Sequence, residues 1–86
     1  MPAYCYLLKC ADGSYYCGWT LDLEKRIEAH KAGKGSRYTR SHLPIALAYY
    51  EECADQSVAM QREGEIKKLN HIEKEELVRK FGNGHE

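Results

Sequence analysis

The sequence has no apolar run longer than a handful of residues, so it offers no candidate for a membrane-spanning helix, which needs about 20 in succession. Its start, Met1-Pro2-Ala3-Tyr4, does not combine a basic segment, an apolar stretch and a small-residue cleavage site. The expectation is therefore no secretory signal and, by default, a cytoplasmic address. Cys5, Cys10, Cys17 and Cys53 make no Cys-x-x-Cys pair, so a zinc knuckle or a redox motif has no support. They read as reduced, half-buried small hydrophobes.

Excess charge is missing as well. Thirteen basic residues balance 13 acidic ones, which argues against coating nucleic acid through bulk electrostatics. The distribution says something different. Between Glu28 and Glu51 there is no acidic residue, while Lys31, Lys34, Arg37 and Arg40 fall there with His30 and His42. Acids concentrate later, in Glu51-Glu52 and in Glu73, Glu75 and Glu76, so one surface can face a polyanion while another is acidic. A solvated loop kept soluble by Lys and Arg fits the same stretch. The Gly33-Lys34-Gly35-Ser36 order lacks the spacing of a phosphate-binding loop, and a nucleoside triphosphate site is rejected.

At 43% apolar and 30% charged residues, the 86-residue chain reads as one small globular domain, over residues 1 to 81, with residues 82 to 86 as a frayed tail. Residues 4 to 10 and 14 to 20 are aromatic-rich and flank Ala11-Asp12-Gly13, a hairpin signature. A two-residue turn would put Tyr6 and Tyr16 on opposite faces. A three-residue loop with left-handed Gly13 pairs Cys10 with Ser14 and brings the two tyrosines to one face, which is the expected register. Asp22 caps a helix through His30 to Ala32, stopped by Gly33. A basic loop, or a loop with a short helical turn, follows. A third strand starts after Pro44, with Ile45, Leu47 and Tyr49 alternating against Ala46, Ala48 and Tyr50. Helices follow from Asp55 or Ser57 to about Asn70, and through Ile72, Leu77, Val78 and Phe81. The class is α+β, a small three-stranded antiparallel sheet flanked by helices in the order β-β-α-β-α-α.

Glu63 falls on the same helical arc as Ala59 and Ile66, which puts a carboxylate on the core-facing stripe. Such a group needs a cationic partner, a proton or a metal ion. Arg26 and His30 are spaced i, i+4 on one face beside the Leu23 and Ile27 stripe. Arginine offers a fork matched to phosphate oxygens, and histidine holds or transfers a proton near neutral pH. An ordinary solvated pair fits that spacing too.

Taken in order, these positions resemble the GIY-YIG nuclease family over nearly the whole chain. Tyr4-Cys5-Tyr6 stands at its first tripeptide and Tyr16-Cys17-Gly18 at its second; Leu23, Arg26 and His30 follow at its spacing, and Ala59 to Glu63 resemble its glutamate-bearing helix. Cys-Ala-Asp-Gly-Ser at 10 to 14, Gly-Lys-Gly-Ser-Arg-Tyr-Thr at 33 to 39 and Glu-Ile-Lys-Lys-Leu at 65 to 69 resemble its small single-domain bacterial branch, which is UPF0213-like. Tyr4 replaces the first glycine and cysteines replace both middle residues.

The resemblance implies a metal-dependent endonuclease with Tyr6, Tyr16, Arg26, His30 and Glu63 as its catalytic set. Glu63 would be the one protein ligand of a single Mg²⁺ or Mn²⁺ ion. Tyr6, with its pKa lowered by nearby cations, would accept the attacking water's proton while Tyr16 and His30 orient or relay. Lys34, Arg37, Tyr38 and Arg40 would hold the backbone of nucleic acid, DNA rather than RNA, with little sequence preference. The rival readings are a non-catalytic nucleic-acid-binding module of the same fold and a protein-interaction domain using the acidic last helix.

Overall fold

The two aromatic-rich segments form a hairpin whose loop sets everything that follows. The computed structural model describes residues 1–84. Its elements are β1 (Ala3–Lys9), β2 (Tyr15–Thr20), α1 (Leu23–Lys31), α2 (Arg37–Ser41), β3 (Ala46–Cys53), α3 (Gln56–Lys67) and α4 (His71–Gly84). The strands form one antiparallel sheet in the order β2-β1-β3. At the hairpin, Cys10 N–H donates to Ser14 O at 2.8 Å and Gly13 N–H to Cys10 O at 2.9 Å, with Gly13 at φ 86°. The expected three-residue loop is the one present. Tyr6 accordingly pairs with Gly18 and Leu8 with Tyr16, so Tyr6 and Tyr16 share a face.

That face is covered by α1. Tyr6, Leu8, Cys10, Ile27 and Ile45 form a buried cluster, with Tyr16, Leu23 and Tyr50 packed against it. Asp22 caps α1 by accepting from Lys25 N–H, and Gly33 takes the left-handed conformation just past its end. The opposite face buries Cys5, Leu7, Cys17 and Ile66, which brings α3 onto β1 and β2. All four cysteines are unpaired and buried.

Strand β3 departs from the regular alternation expected of residues 45 to 50. Leu7 pairs with Tyr49 but Leu8 with Leu47, so Ala48 is the extra residue of a bulge. Leu47 therefore joins Tyr50 on the α1 side, and Tyr49 faces α3. Apolar alternation could not show this, because small alanines fit either face.

Arg62 secures α3 to β3. Its Nε donates to Glu51 Oε1, its Nη2 to Glu51 Oε2 at 3.2 Å and its Nη1 to Glu65 Oε1 at 2.7 Å; the Tyr49 hydroxyl also donates to Glu51. Asn70 and Glu73 exchange side chain-to-backbone bonds at 2.8 and 2.9 Å, a reciprocal cap at the start of α4. At its other end α4 runs to Gly84, three residues past the Phe81 limit expected from the glycines. Phe81 lies edge-on to both Tyr49 and Tyr50, whose side chains leave β3 in opposite directions. The ring thus sits at the strand's outer rim, and this docking carries the helix through Gly82.

Candidate active site

Four of the five predicted catalytic positions meet on the α1 face. Tyr6 from β1 and His30 from α1 are both fully buried, and their Oη and Nε2 atoms lie 2.9 Å apart. On the other side of the imidazole, Nδ1 is 2.8 Å from Thr39 Oγ1, which in turn lies 3.0 Å from Ser36 Oγ. A single chain of polar atoms thus joins β1, α1 and α2. Burial, and then the charge of Arg26, lower the pKa of His30. Its ring is neutral near pH 7, so one nitrogen donates and the other accepts.

Tyr6 settles which does which. Burial raises its pKa and outweighs the lowering that Arg26 supplies by hydrogen bond and charge. It is a phenol near the Arg26 guanidinium, with its own proton directed at His30 Nε2. His30 then carries its proton on Nδ1 and donates to Thr39. The expectation that nearby cations would lower the Tyr6 pKa is corrected here: the cation is present, but desolvation is the larger effect.

Two glycines make this packing possible. A Cβ on Gly18 would lie 2.6 Å from Tyr6 Oη, and one on Gly35 would lie 2.2 Å from His30 Nδ1. Gly35 lets the loop before α2 rest on the imidazole, and Arg26 Nη2 fastens that loop by donating to Gly35 O at 3.0 Å. Arg26 keeps further N–H groups for a ligand. Tyr16, only half-buried, stands with its ring 5.3 Å from that of His30 and 6.1 Å from that of Tyr38.

Glu63 approaches from the α3 side. Its carbonyl accepts from Cys17 Sγ at 3.7 Å, which sets its helical turn against β2 on the sheet face opposite the one Tyr16 packs on. Its carboxylate, with a side chain 23% exposed, lies 3.8 Å from Lys67 Nζ. The stripe position expected for Glu63 is thus a rim position with a lysine neighbour. No group of three or more His, Cys, Asp or Glu side chains able to hold a metal ion occurs among the described residues.

The basic segment is ordered by side chains that the sequence reading passed over. Ser36 caps α2 by accepting from Thr39 N–H. Ser14 Oγ donates to Asp12 Oδ1 at 2.6 Å, so the Tyr38 hydroxyl, 2.6 Å away, donates to Ser14. Tyr38 also stacks on His42 at 4.2 Å and 12°, and His42 Nε2 lies 3.5 Å from Asp12 Oδ2. This locks Tyr38 in place, whereas Lys34, Arg37 and Arg40 remain exposed. Ser36 was legible as a helix cap; Ser14 and Thr39 stood in the 10–14 and 33–39 motifs, but their roles depend on contacts far along the chain. A broad surface groove lies on the other flank of α1, against β3, and its charged lining is Asp22, Glu24, Glu28 and Glu52 with Lys31. It repels a polyanion.

Residues 2–76 match the GIY-YIG catalytic domain. The chain is 52% identical over 75 residues to a UPF0213 protein of Bacillus cereus, covering 87% of this chain and 78% of that one. A UPF0213 protein of the archaeon Natronomonas pharaonis is 47% identical, with 87% and 88% covered. Among solved structures, the solution structure of the UPF0213 protein BH0048 of Bacillus halodurans superposes with a TM-score of 0.58 at 42% identity, over 92% of this chain and 84% of that one. That of EF2693 from E. faecalis gives 0.62 at 34% identity, over 95% and 88%. With the tyrosines, the arginine, the histidine and the glutamate all in their expected elements, the chain belongs to the GIY-YIG nuclease family and, within it, to the UPF0213 group.

Proposed function

We propose that this chain is a divalent-metal-dependent endonuclease that hydrolyses phosphodiester bonds of nucleic acid, DNA in preference to RNA, in the cytoplasm and with little intrinsic sequence preference. The observation that supports this most directly is the buried Tyr6–His30 bond at 2.9 Å, with Arg26 beside it fastened to Gly35 O. Ordinary core packing does not call for a buried tyrosine and a buried neutral histidine bonded to each other beside a half-exposed guanidinium. The described residues also include no helix long and apolar enough to cross a membrane.

The donor set fits one hydrated ion. Glu63 is the carboxylate that would hold Mg²⁺ or Mn²⁺, with water and phosphate oxygens completing the shell, in keeping with the few protein ligands such ions take. When bound, that ion supplies positive charge at the phosphate and the leaving oxygen. Lys67 would yield the carboxylate to it. Arg26 grips a phosphate oxygen with the N–H groups not used on Gly35, and offsets the charge that builds up during attack. Tyr6 has no solvent access, so Tyr16 is the phenol that meets the attacking water and orients it. Behind it, the buried Tyr6–His30 pair backs Arg26, which Gly35 O holds in place. Lys34, Arg37 and Arg40 bind backbone phosphates without reading bases.

The test is cleavage of labelled single-stranded, duplex and branched DNA and RNA with Mg²⁺ or Mn²⁺, comparing the native protein with Glu63→Gln and Arg26→Ala, each checked for folding. Metal-dependent cutting lost in both variants is the expected result. Equal cutting by the variants, or binding without cutting anywhere in the panel, would leave the non-catalytic binding module as the better reading.

A further inference from the structure

A second recess opens beside the candidate site, on the outer side of β2. It has a volume of about 250 Å³ and is lined by Tyr15, Tyr16, Cys17, Tyr38, Lys67 and Lys74. Its composition is unlike that of the groove on the far flank of α1, for its lining includes no carboxylate. Two aromatic pairs flank it. Tyr16 lies roughly parallel to Tyr38, which is itself backed by His42, and Tyr15 lies against His71 at 5.2 Å. Lys67 comes from the end of α3, one turn beyond Glu63, and Lys74 from the first turns of α4.

Aromatic walls with ammonium groups at the rim suit a nucleobase and its phosphate. The recess is far too small for a base pair stacked within a duplex, whose faces are already covered by their neighbours. We infer that this recess binds one unpaired DNA nucleotide next to the phosphate to be cut, with the base against the tyrosines and the phosphate at Lys67 and Lys74. The inference rests on the nuclease reading for the position of the cut. It makes Lys74, outside the expected site, a specificity residue for strands with a free base. Single strands, loops and frayed junctions are then bound there, and perfect duplex is not.

Binding can be measured without cutting, which separates this idea from the nuclease reading. The probes are a fluorescent oligodeoxythymidylate, the same oligomer with abasic positions, and a blunt duplex, each titrated by anisotropy in EDTA into native protein, Lys74→Glu and Lys74→Arg. Base stacking of this kind predicts a loss on the order of tenfold for the abasic oligomer. Lys74→Glu is expected to weaken the thymidylate by a similar factor, Lys74→Arg to restore it, and neither to change duplex binding. Equal affinity for thymidylate and abasic oligomers, or Lys74→Glu weakening strand and duplex alike, overturns the recess as a nucleotide site. If binding follows the expected pattern but no metal supports cleavage, the recess stands and the nuclease reading falls.

Discussion

Removing the hydroxyl of Tyr6 leaves the Nε2 of a buried imidazole with no donor. Tyr6→Phe is therefore expected to cost stability, about 1–3 kcal/mol by urea denaturation, as for other stranded buried acceptors. Tyr16→Phe removes a half-exposed hydroxyl and should leave the denaturation midpoint almost unchanged while lowering turnover on the order of a hundredfold or more. If instead Tyr16→Phe cuts normally and Tyr6→Phe, though folded, does not, the roles given to the two phenols are reversed. Acid supplies a second check. The folded chain resists protonation of His30, whose ordinary pKa is 6.5, so the unfolded chain takes up that proton first as pH falls. Stability is fully present above that value and is lost between it and the lower folded pKa. His30→Gln should abolish this component, up to about 1.4 kcal/mol per pH unit, in denaturation series between pH 7 and 5. At this scale the sequence named the five positions through the ordered motifs that resemble the family, not through any one side chain. It could not find Thr39 or Gly35, whose importance comes from touching His30.

The elements were largely legible because their signals are local. Asp22, Ser36 and Asp55 each accept from a backbone N–H in the first turn of the following helix. Ala11-Asp12-Gly13 fixed the register that brings Tyr6 and Tyr16 together. The bulge at Ala48 and the length of α4 were hidden, since both depend on contacts across the sheet rather than on neighbouring residues. The attachment of α3 through Arg62 is likewise non-local and makes its own prediction. Burial of Glu51 raises its pKa, but the bonds from Arg62 and Tyr49 more than reverse this, so the carboxylate is charged and held. Arg62→Ala should cost about 1–2 kcal/mol, a charged hydrogen bond reduced by partial exposure, and Arg62→Lys somewhat less because lysine lacks the fork. Because Glu63 is the next residue, the same variants should weaken the Mn²⁺ relaxation enhancement of solvent water while far-ultraviolet circular dichroism stays native. Unchanged Mn²⁺ binding in Arg62→Ala would show that the clamp supports the fold and not the carboxylate.

Across the whole molecule, zero net charge conceals two flanks of α1 with opposite charge. One leads past Arg26 and His30 to the exposed Lys34, Arg37 and Arg40, and the other opens on Asp22, Glu24, Glu28 and Glu52. Binding to duplex DNA should therefore depend only moderately on salt, with a log–log slope near −3 for three phosphate contacts. Arg37→Ala should make that slope shallower by about one unit, and Glu24→Gln should leave it unchanged. A slope unaffected by Arg37→Ala would take α2 out of the interface. The order in which the site's parts occur along the chain has a consequence for synthesis. Phenol, guanidinium and imidazole are all translated early, in β1, β2 and α1, whereas the carboxylate arrives only with α3. A chain ending before Glu63 would hold the phenols, guanidinium and imidazole but lack the carboxylate proposed to take the metal. If the proposed nuclease reading holds, the capacity to cut would be the last part of the site to be translated.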